Sequence, residues 1–211
     1  MDLFLNFFNS TKKQLLKASK EGKLEEVQQL LKNENLEVNV KDEDSGRTPL
    51  MNACGLGYIE IVELLLNDQR VELNLGNDVG QSGFFIACSC GRTEIVKLML
   101  EFEGVDVNAI DNYGWSPLIQ SCYYGHIDIV KLILASRRDV NLNIRSKLGE
   151  TAFDITEKRG IEGKERWENE VRFNKRITNC PSIVKLLYSF ERSPNETRFQ
   201  LRRELGLSGK F

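Results

Sequence analysis

The sequence predicts an all-α protein: a solenoid of about five helix-turn-helix units, joined by short β-hairpin turns and closed by a helix at the carboxyl end. Three observations carry that expectation. Gly46, Gly80, Gly114 and Gly149 recur at intervals of 34, 34 and 35 residues, and Gly22, Gly57, Gly91 and Gly125 at 35, 34 and 34. Asn39, Asn74, Asn108 and Asn143 follow in step, each after a Val or a Leu. Between these marks, apolar stretches of helical character alternate with polar turns, and a fixed period of this length marks an array of small supersecondary units.

Composition narrows the function classes without choosing the fold. A chain of 211 residues can bury a substantial core as one domain or as a stack of repeats. With 29 Lys and Arg against 31 Asp and Glu, the net charge of -2 creates no global field for nucleic acid or an anionic membrane, and neither is an expected partner. The apolar opening from Leu3 to Phe8 is interrupted by Asn6, follows Asp2 and has no basic flank, so it reads as neither a secretory signal nor a membrane span. Five cysteines, an odd number, suit a reducing compartment, and the expected location is cytoplasmic or nuclear. Cys54, Cys88 and Cys122 are spaced 34 residues apart, as one repeated structural position would be. No metal or cofactor is expected, since cysteines on successive helices roughly 10 Å apart cannot share a zinc ion.

Taken in order, residues 1–12 form an amino-terminal segment outside the repeats. The first unit, 13–44, begins KQLLKASKEGKLEEVQQLL, a helix pair without a preceding hairpin, as expected of a polar-faced cap. Units at 45–79, 80–113 and 114–148 are full repeats, and the last of these shows the pattern best. Ser116 can cap the free amides of a helix whose first position is Pro117. That helix runs to Tyr124, and Gly125 closes it. Ile127, Ile129, Val130, Leu132, Ile133 and Leu134 then form a strongly apolar second helix, with Asp128 and Lys131 on its narrow wet side. Two such helices cannot bury this surface against each other, so each pair must stack on its neighbours.

The fifth unit, 149–190, begins GETAFDITEKRG and resumes at Ser182 after an insertion over 161–179. Glu162 with Arg166 and Glu168 with Arg172 stand at i,i+4 spacing, and Trp167 with Val171 and Phe173 with Ile177 offer apolar faces, so the insertion is read as partly helical. It is either an arm that touches a partner or a lengthened first helix that folds its aromatics onto the last repeat. The second is preferred, because an exposed Trp would need a partner to cover it. Residues 191–211 are expected to form a capping helix and tail. Ser193, Pro194 and Glu196 give a capping-box start, and Gly206 ends the helix. Leu201, Leu205 and Phe199 would close the apolar end of the stack, while Arg198, Arg202 and Arg203 stay wet. Ser208 to Phe211 would fray.

The residues resemble the ankyrin repeat. Thr48-Pro49-Leu50, Gly125-His126, Glu94-Ile95-Val96-Lys97-Leu98 and Asp106-Val107-Asn108-Ala109 match its helix start, inner turn, second helix and tail. The resemblance covers residues 13–190. No unit keeps the signature His of the first helix: Leu16, Met51, Phe85, Ile119 and Asp154 stand there. Apolar packing must replace its hydrogen bonds in the three full repeats. Ser82-Gly83 replaces Thr-Pro in the unit at 80–113, which is therefore expected to be the weakest, by about 1 kcal/mol relative to Ala at the glycine.

The resemblance implies a non-enzymatic module that binds a protein or peptide on the concave face and hairpin tips. Carried onto this sequence, the site is Tyr113, Trp115, Tyr123 and Tyr124, with Gln120, Arg47, Gln81 and Leu56 beside them; Trp and Tyr dominate interface hot spots. Asn52, Ile86, Ile155, Lys158 and Arg159 are further positions expected to face the partner. Some of the aromatics could instead pack sideways on neighbouring hairpins. Lys41-Asp42-Glu43-Asp44 gives an acidic end and Arg145, Lys147, Lys158 and Arg159 a basic one, which together could orient an elongated partner, although each cluster alone reads as a solvated face. The only histidine, His126, lies in a structural turn, Cys90 is the most exposed thiol, and no phosphate-binding loop is present. The chain is expected to be monomeric by itself. The alternative is a structural or regulatory subunit that docks through the 161–179 insertion and the carboxyl-terminal helix.

Overall fold

The computed structural model describes residues 13–161 and 170–207, and among these residues all regular structure is helical. Eleven helices follow in order: α1 over 13–21, α2 Leu24–Leu31, α3 Pro49–Leu56, α4 Ile59–Asn67, α5 Gly83–Ser89, α6 Thr93–Leu100, α7 Pro117–Tyr123, α8 Ile127–Ala135, α9 Ala152–Ile161, α10 Glu170–Arg192 and α11 Pro194–Glu204. The first helices α3, α5, α7 and α9 stack in one row, and the second helices α2, α4, α6, α8 and α10 in another. No described helix is long and apolar enough to cross a membrane.

Local chemistry sets the helix starts. Thr48, Ser82 and Ser116 each occupy the residue before a first helix in extended backbone, and their hydroxyls accept the amides of Met51, Phe85 and Ile119. This satisfies one of the amides that every helix start leaves free. Met51, Phe85 and Ile119 are themselves buried, so packing fills the positions where the histidine is missing. Gly83 meets the preceding unit closely: a Cβ there would stand 3.3 Å from Leu50 Cγ and 3.4 Å from Cys54 Sγ. The glycine that weakens the start of α5 is thus the one that lets α3 approach it. Burial pushes the thiols of Cys54 and Cys88 well above their ordinary range, and that of Cys122 up to about 12.

Between units, arginines and asparagines tie the loops together. Arg70 donates to the carbonyls of Leu31, Asn33 and Glu34 and is itself held by Asp68 at 2.6 Å. Arg138, 68 residues on, donates to Phe102 and Glu103 in the same way. The side chains of Asn39, Asn74 and Asn108 each donate to a carbonyl and accept an amide from the following unit. That accounts for three of the four periodic asparagines; at the fourth, Asn143, it is the backbone amide that bonds, to Asn141 Oδ1.

The carboxyl-terminal third differs from expectation in several places. The second helix of the last unit does not begin at Ser182: α10 runs unbroken from Glu170 through Pro181 to Arg192. Its buried residues Arg176, Cys180, Ile183, Leu187 and Phe190 follow a 4-3-4-3 spacing that keeps one phase across the proline. Packing along that stripe outweighs the single amide that Pro181 withdraws. Glu162, Arg166, Trp167 and Glu168 lie outside the described residues, as do 1–12 and 208–211. At α11 the expected capping box is not made: Ser193 forms no side-chain cap. Instead the Thr197 hydroxyl donates to the Ser189 carbonyl at 2.9 Å. Leu201 is buried as expected, but Phe199 is 69% exposed, because Thr197 and Leu201 define the inner face and Phe199 falls on the other side. Arg198 and Arg202 are not free in solvent: they donate to the Arg138 and Ala135 carbonyls at the carboxyl end of α8.

Candidate functional site

The tips between units are hydrogen-bonded turns, without the β-strand pairing expected of hairpins. Each is organised by one side-chain acceptor. The Asp111 carboxylate accepts the amides of Tyr113 and Trp115, both at 2.9 Å. Asn77 does the same for Val79 and Gln81, and the Ser146 hydroxyl for Leu148 and Glu150. At the first tip, Asp42 accepts from Ser45. These four residues, at spacings of 35, 34 and 35, carry the shape of the tips. Sequence reasoning passed over Asn77, Asp111 and Ser146 and read Asp42 only as part of an acidic end, although short acceptor side chains placed before a turn glycine are the signature of such motifs.

Successive tips are also bonded to each other. The amides of Asp78, Asn112 and Lys147 donate to the carbonyls of Ser45, Val79 and Tyr113 at 3.2, 2.9 and 2.8 Å. The backbone of Tyr113 is therefore fixed on both sides, while its side chain stands 59% exposed.

Behind that tip the aromatics form a staircase. Trp115 meets Tyr123 edge-on at 5.0 Å between ring centroids, and Tyr123 meets Tyr124 at 5.1 Å and 89°. Tyr124 then stacks on the ring of His126 at 5.8 Å. Arg159 closes over the Tyr123 ring at 4.1 Å. Tyr113, Trp115, Tyr123 and Tyr124 line an open groove of about 530 Å³, with Gln81, Lys147 and Leu148 among its other walls.

The structure thus gathers Tyr113, Trp115, Tyr123, Tyr124, Gln120 and Gln81 along one groove and leaves Arg47 and Leu56 outside it. Leu56 lies exposed at the end of α3, and Arg47 is half-buried at the first tip. Not every residue expected to face solvent does so. Trp115 and Tyr123 rest on the hydrophobic core, so they are packing residues as well as groove walls. Gln120 is buried, its amide donating to the Ser89 hydroxyl at 3.1 Å. Asn52, Ile86, Ile155 and Arg159 are buried too. For Ile86, Gln120 and Arg159 the reason is shared: each leans on the unit before it, Ile86 on Gly55, Gln120 on Ser89 and Arg159 on Tyr123. Arg159 also accepts, through its carbonyl, a hydrogen bond from the equally buried Arg176.

The groove offers recognition more readily than chemistry. The Asp111 carboxylate is occupied by two amides and by the Gln81 side chain at 3.4 Å. The His126 ring lies within 3.2 Å of the Ser89 carbonyl. Among the described residues, no group of three or more His, Cys, Asp or Glu side chains is placed to hold a metal ion. What the groove presents is aromatic surface beside the Lys147 ammonium.

Compared with known families, the chain matches a model described as ankyrin repeats in three copies, over residues 5–77 and 67–145, more than half of its length. No curated protein matches it.

Proposed function

The chain belongs to the ankyrin-repeat family, whose members are generally protein-protein interaction modules and not typically enzymes, and from that premise we propose that it captures a protein or peptide partner in the groove between the tips at 111–115 and 146–150. The observation that carries this reading is the aromatic staircase opening beside Tyr113, whose ring is 59% exposed on a backbone fixed by its neighbours. Rigid aromatic surface that is already ordered loses little entropy on binding and supplies large contact area. Docking through the 161–179 insertion and the carboxyl-terminal helix is less favoured, because α11 buries Thr197 and Leu201 against α8 and α10 and leaves Phe199 as its one exposed aromatic.

Affinity capture from the native source tests this, with the tagged chain beside its Tyr113→Ala and Trp115→Ala variants. Proteins held by the unmodified chain should be lost from both. Tyr113→Ala is the cleaner variant, since its melt should be unchanged, whereas Trp115 also packs on the core. Capture of the same proteins by the Tyr113→Ala chain at undiminished yield would remove the groove from consideration.

A further inference from the structure

The ladder of tips ends with one face open. At Gly46, Gly80 and Gly114 an added Cβ would collide with the following tip: Asp78 Oδ1 at 2.1 Å, Asn112 Oδ1 at 2.8 Å and the Arg145 carbonyl at 2.9 Å. At Gly149 it would meet nothing within 4 Å among the described residues. By the same register, the Ser45, Val79 and Tyr113 carbonyls each accept an amide from the next tip, and the position that follows them is Leu148. Its residue is 82% exposed. No described residue occupies the place where a fifth tip would lie, and it adjoins the aromatic groove, which Leu148 also lines.

Charge selects what could lie there. Arg145, Lys147 and Lys158 surround this tip, all exposed. Lys158 is already paired with Glu150 at 3.3 Å, and the Asp111 and Asp154 carboxylates hold their own turns, so Arg145 and Lys147 are the cations of this tip in no ion pair among the described residues. Negative charge on the occupant is therefore favoured beside Arg145 and Lys147. Geometry narrows it again. A second copy presenting its own acidic tip, Glu43 and Asp44, would have to set its α3 after α9, because neighbouring tips go with neighbouring first helices. Its first unit would then coincide with α9 and α10. Only a segment with no rigid unit before it fits.

We propose that this position takes an acidic, extended segment of a partner protein, which donates a backbone amide to the Leu148 carbonyl, lies along Lys147 and Arg145, and drops a bulky apolar side chain into the aromatic groove. The inference rests on the groove reading and adds the partner's chemistry and backbone register to it.

The test is selection of a random-peptide phage library on the immobilised full chain, followed by fluorescence anisotropy with the synthetic consensus peptide. The consensus should carry Asp or Glu beside a bulky apolar residue. Its affinity should fall about tenfold or more with Gly149→Asn, with Lys147→Glu, and on methylation of the peptide's backbone amides. Asn tolerates the positive φ of 79° at Gly149, so the tip should keep its shape while the slot is filled. Methylation probes the same contact with no change to the protein. A neutral or basic consensus, or no consensus, would overturn the proposal. Loss of binding with Tyr113→Ala but not with Gly149→Asn or Lys147→Glu would leave the groove standing and remove the ladder contact. Loss with Gly149→Asn but not with Tyr113→Ala would do the reverse. Self-association in sedimentation velocity that disappears with Gly149→Asn would give the slot to a second copy and overturn the acidic segment.

Discussion

Replacing Asp111 by Ala should unfold the tip that carries Tyr113 and Trp115, at a cost that the neighbouring tips allow to be bracketed. The carboxylate accepts two amides at 2.9 Å and is 7% exposed. Hydrogen bonds to a charged acceptor contribute about 1.5–3 kcal/mol each. Water can reach one of the freed amides at this edge, so the loss should be about 2–4 kcal/mol rather than the full sum. Asn supplies an acceptor of the same shape, and Asn77 already performs this task one unit earlier, taking amides at 3.1 and 2.8 Å. Asp111→Asn should then cost under about 1 kcal/mol. Ser, which at Ser146 accepts at 3.2 and 3.3 Å, should fall between them. Urea melts give the three free energies, and amide exchange at Tyr113 and Trp115 shows whether the tip opens ahead of the core. Equal losses for Asn and Ala would refute the reasoning, because the acceptor would then not be what shapes the tip.

Other perturbations follow from the same contacts. Gly114→Ala and Gly149→Ala suffer similar backbone strain, with φ of 76° and 79°, but only Gly114 is covered by the next tip, so it should be the more damaging by about 1–3 kcal/mol in urea melts. Arg70→Ala should release α1 and α2 first, seen as faster amide exchange over 13–31 than in the rest of the chain. The Arg70 guanidinium, opposed only in part by burial, holds the Asp68 carboxyl below its ordinary range. The pair's contribution is therefore complete above the unfolded carboxylate value of about 4 and is lost as pH falls through the lower folded value; Arg70→Ala should flatten that part of the acid melt. Of the five cysteines only Cys90 is exposed, so a thiol reagent at mildly alkaline pH should label one equivalent in the native chain and five after denaturation.

What could be read from the sequence was whatever recurs. Glycines and asparagines at a fixed interval announce the stack because the same physical task recurs from unit to unit: a positive φ at the turn, or, at Asn39, Asn74 and Asn108, a side chain that pairs with the next loop's backbone. Met51, Phe85 and Ile119 could be placed in the core because hydrophobicity at a repeated position has one stable outcome. The aromatic groups of one unit could be brought to one place for the same reason. Exposure on the first helices was less legible. Ile86, Gln120 and Arg159 face the side where a partner would sit, but each leans on a neighbour 31 to 36 residues earlier, and that lean depends on side-chain shape, such as the space left by Gly55. The unbroken α10 was hidden because its buried stripe includes Arg176, which a search for apolar periodicity does not count as core.

That long helix has a geometric consequence. At 23 residues it spans about 34 Å, against about 14 Å for the nine-residue α8 on which it lies. Its register is fixed where Arg176 crosses Gly125, at the turn between α7 and α8. The tips lie at the other end of α7, next to Pro117. The overhang of α10 and the tips are therefore at opposite ends of α7, and the groove runs between them, from Tyr113 to Tyr123 and Tyr124. A fluorophore attached near Lys175 would therefore stand at the inner end of the groove, where Tyr124 adjoins Gly125, and would report on its occupancy from the side away from the tips.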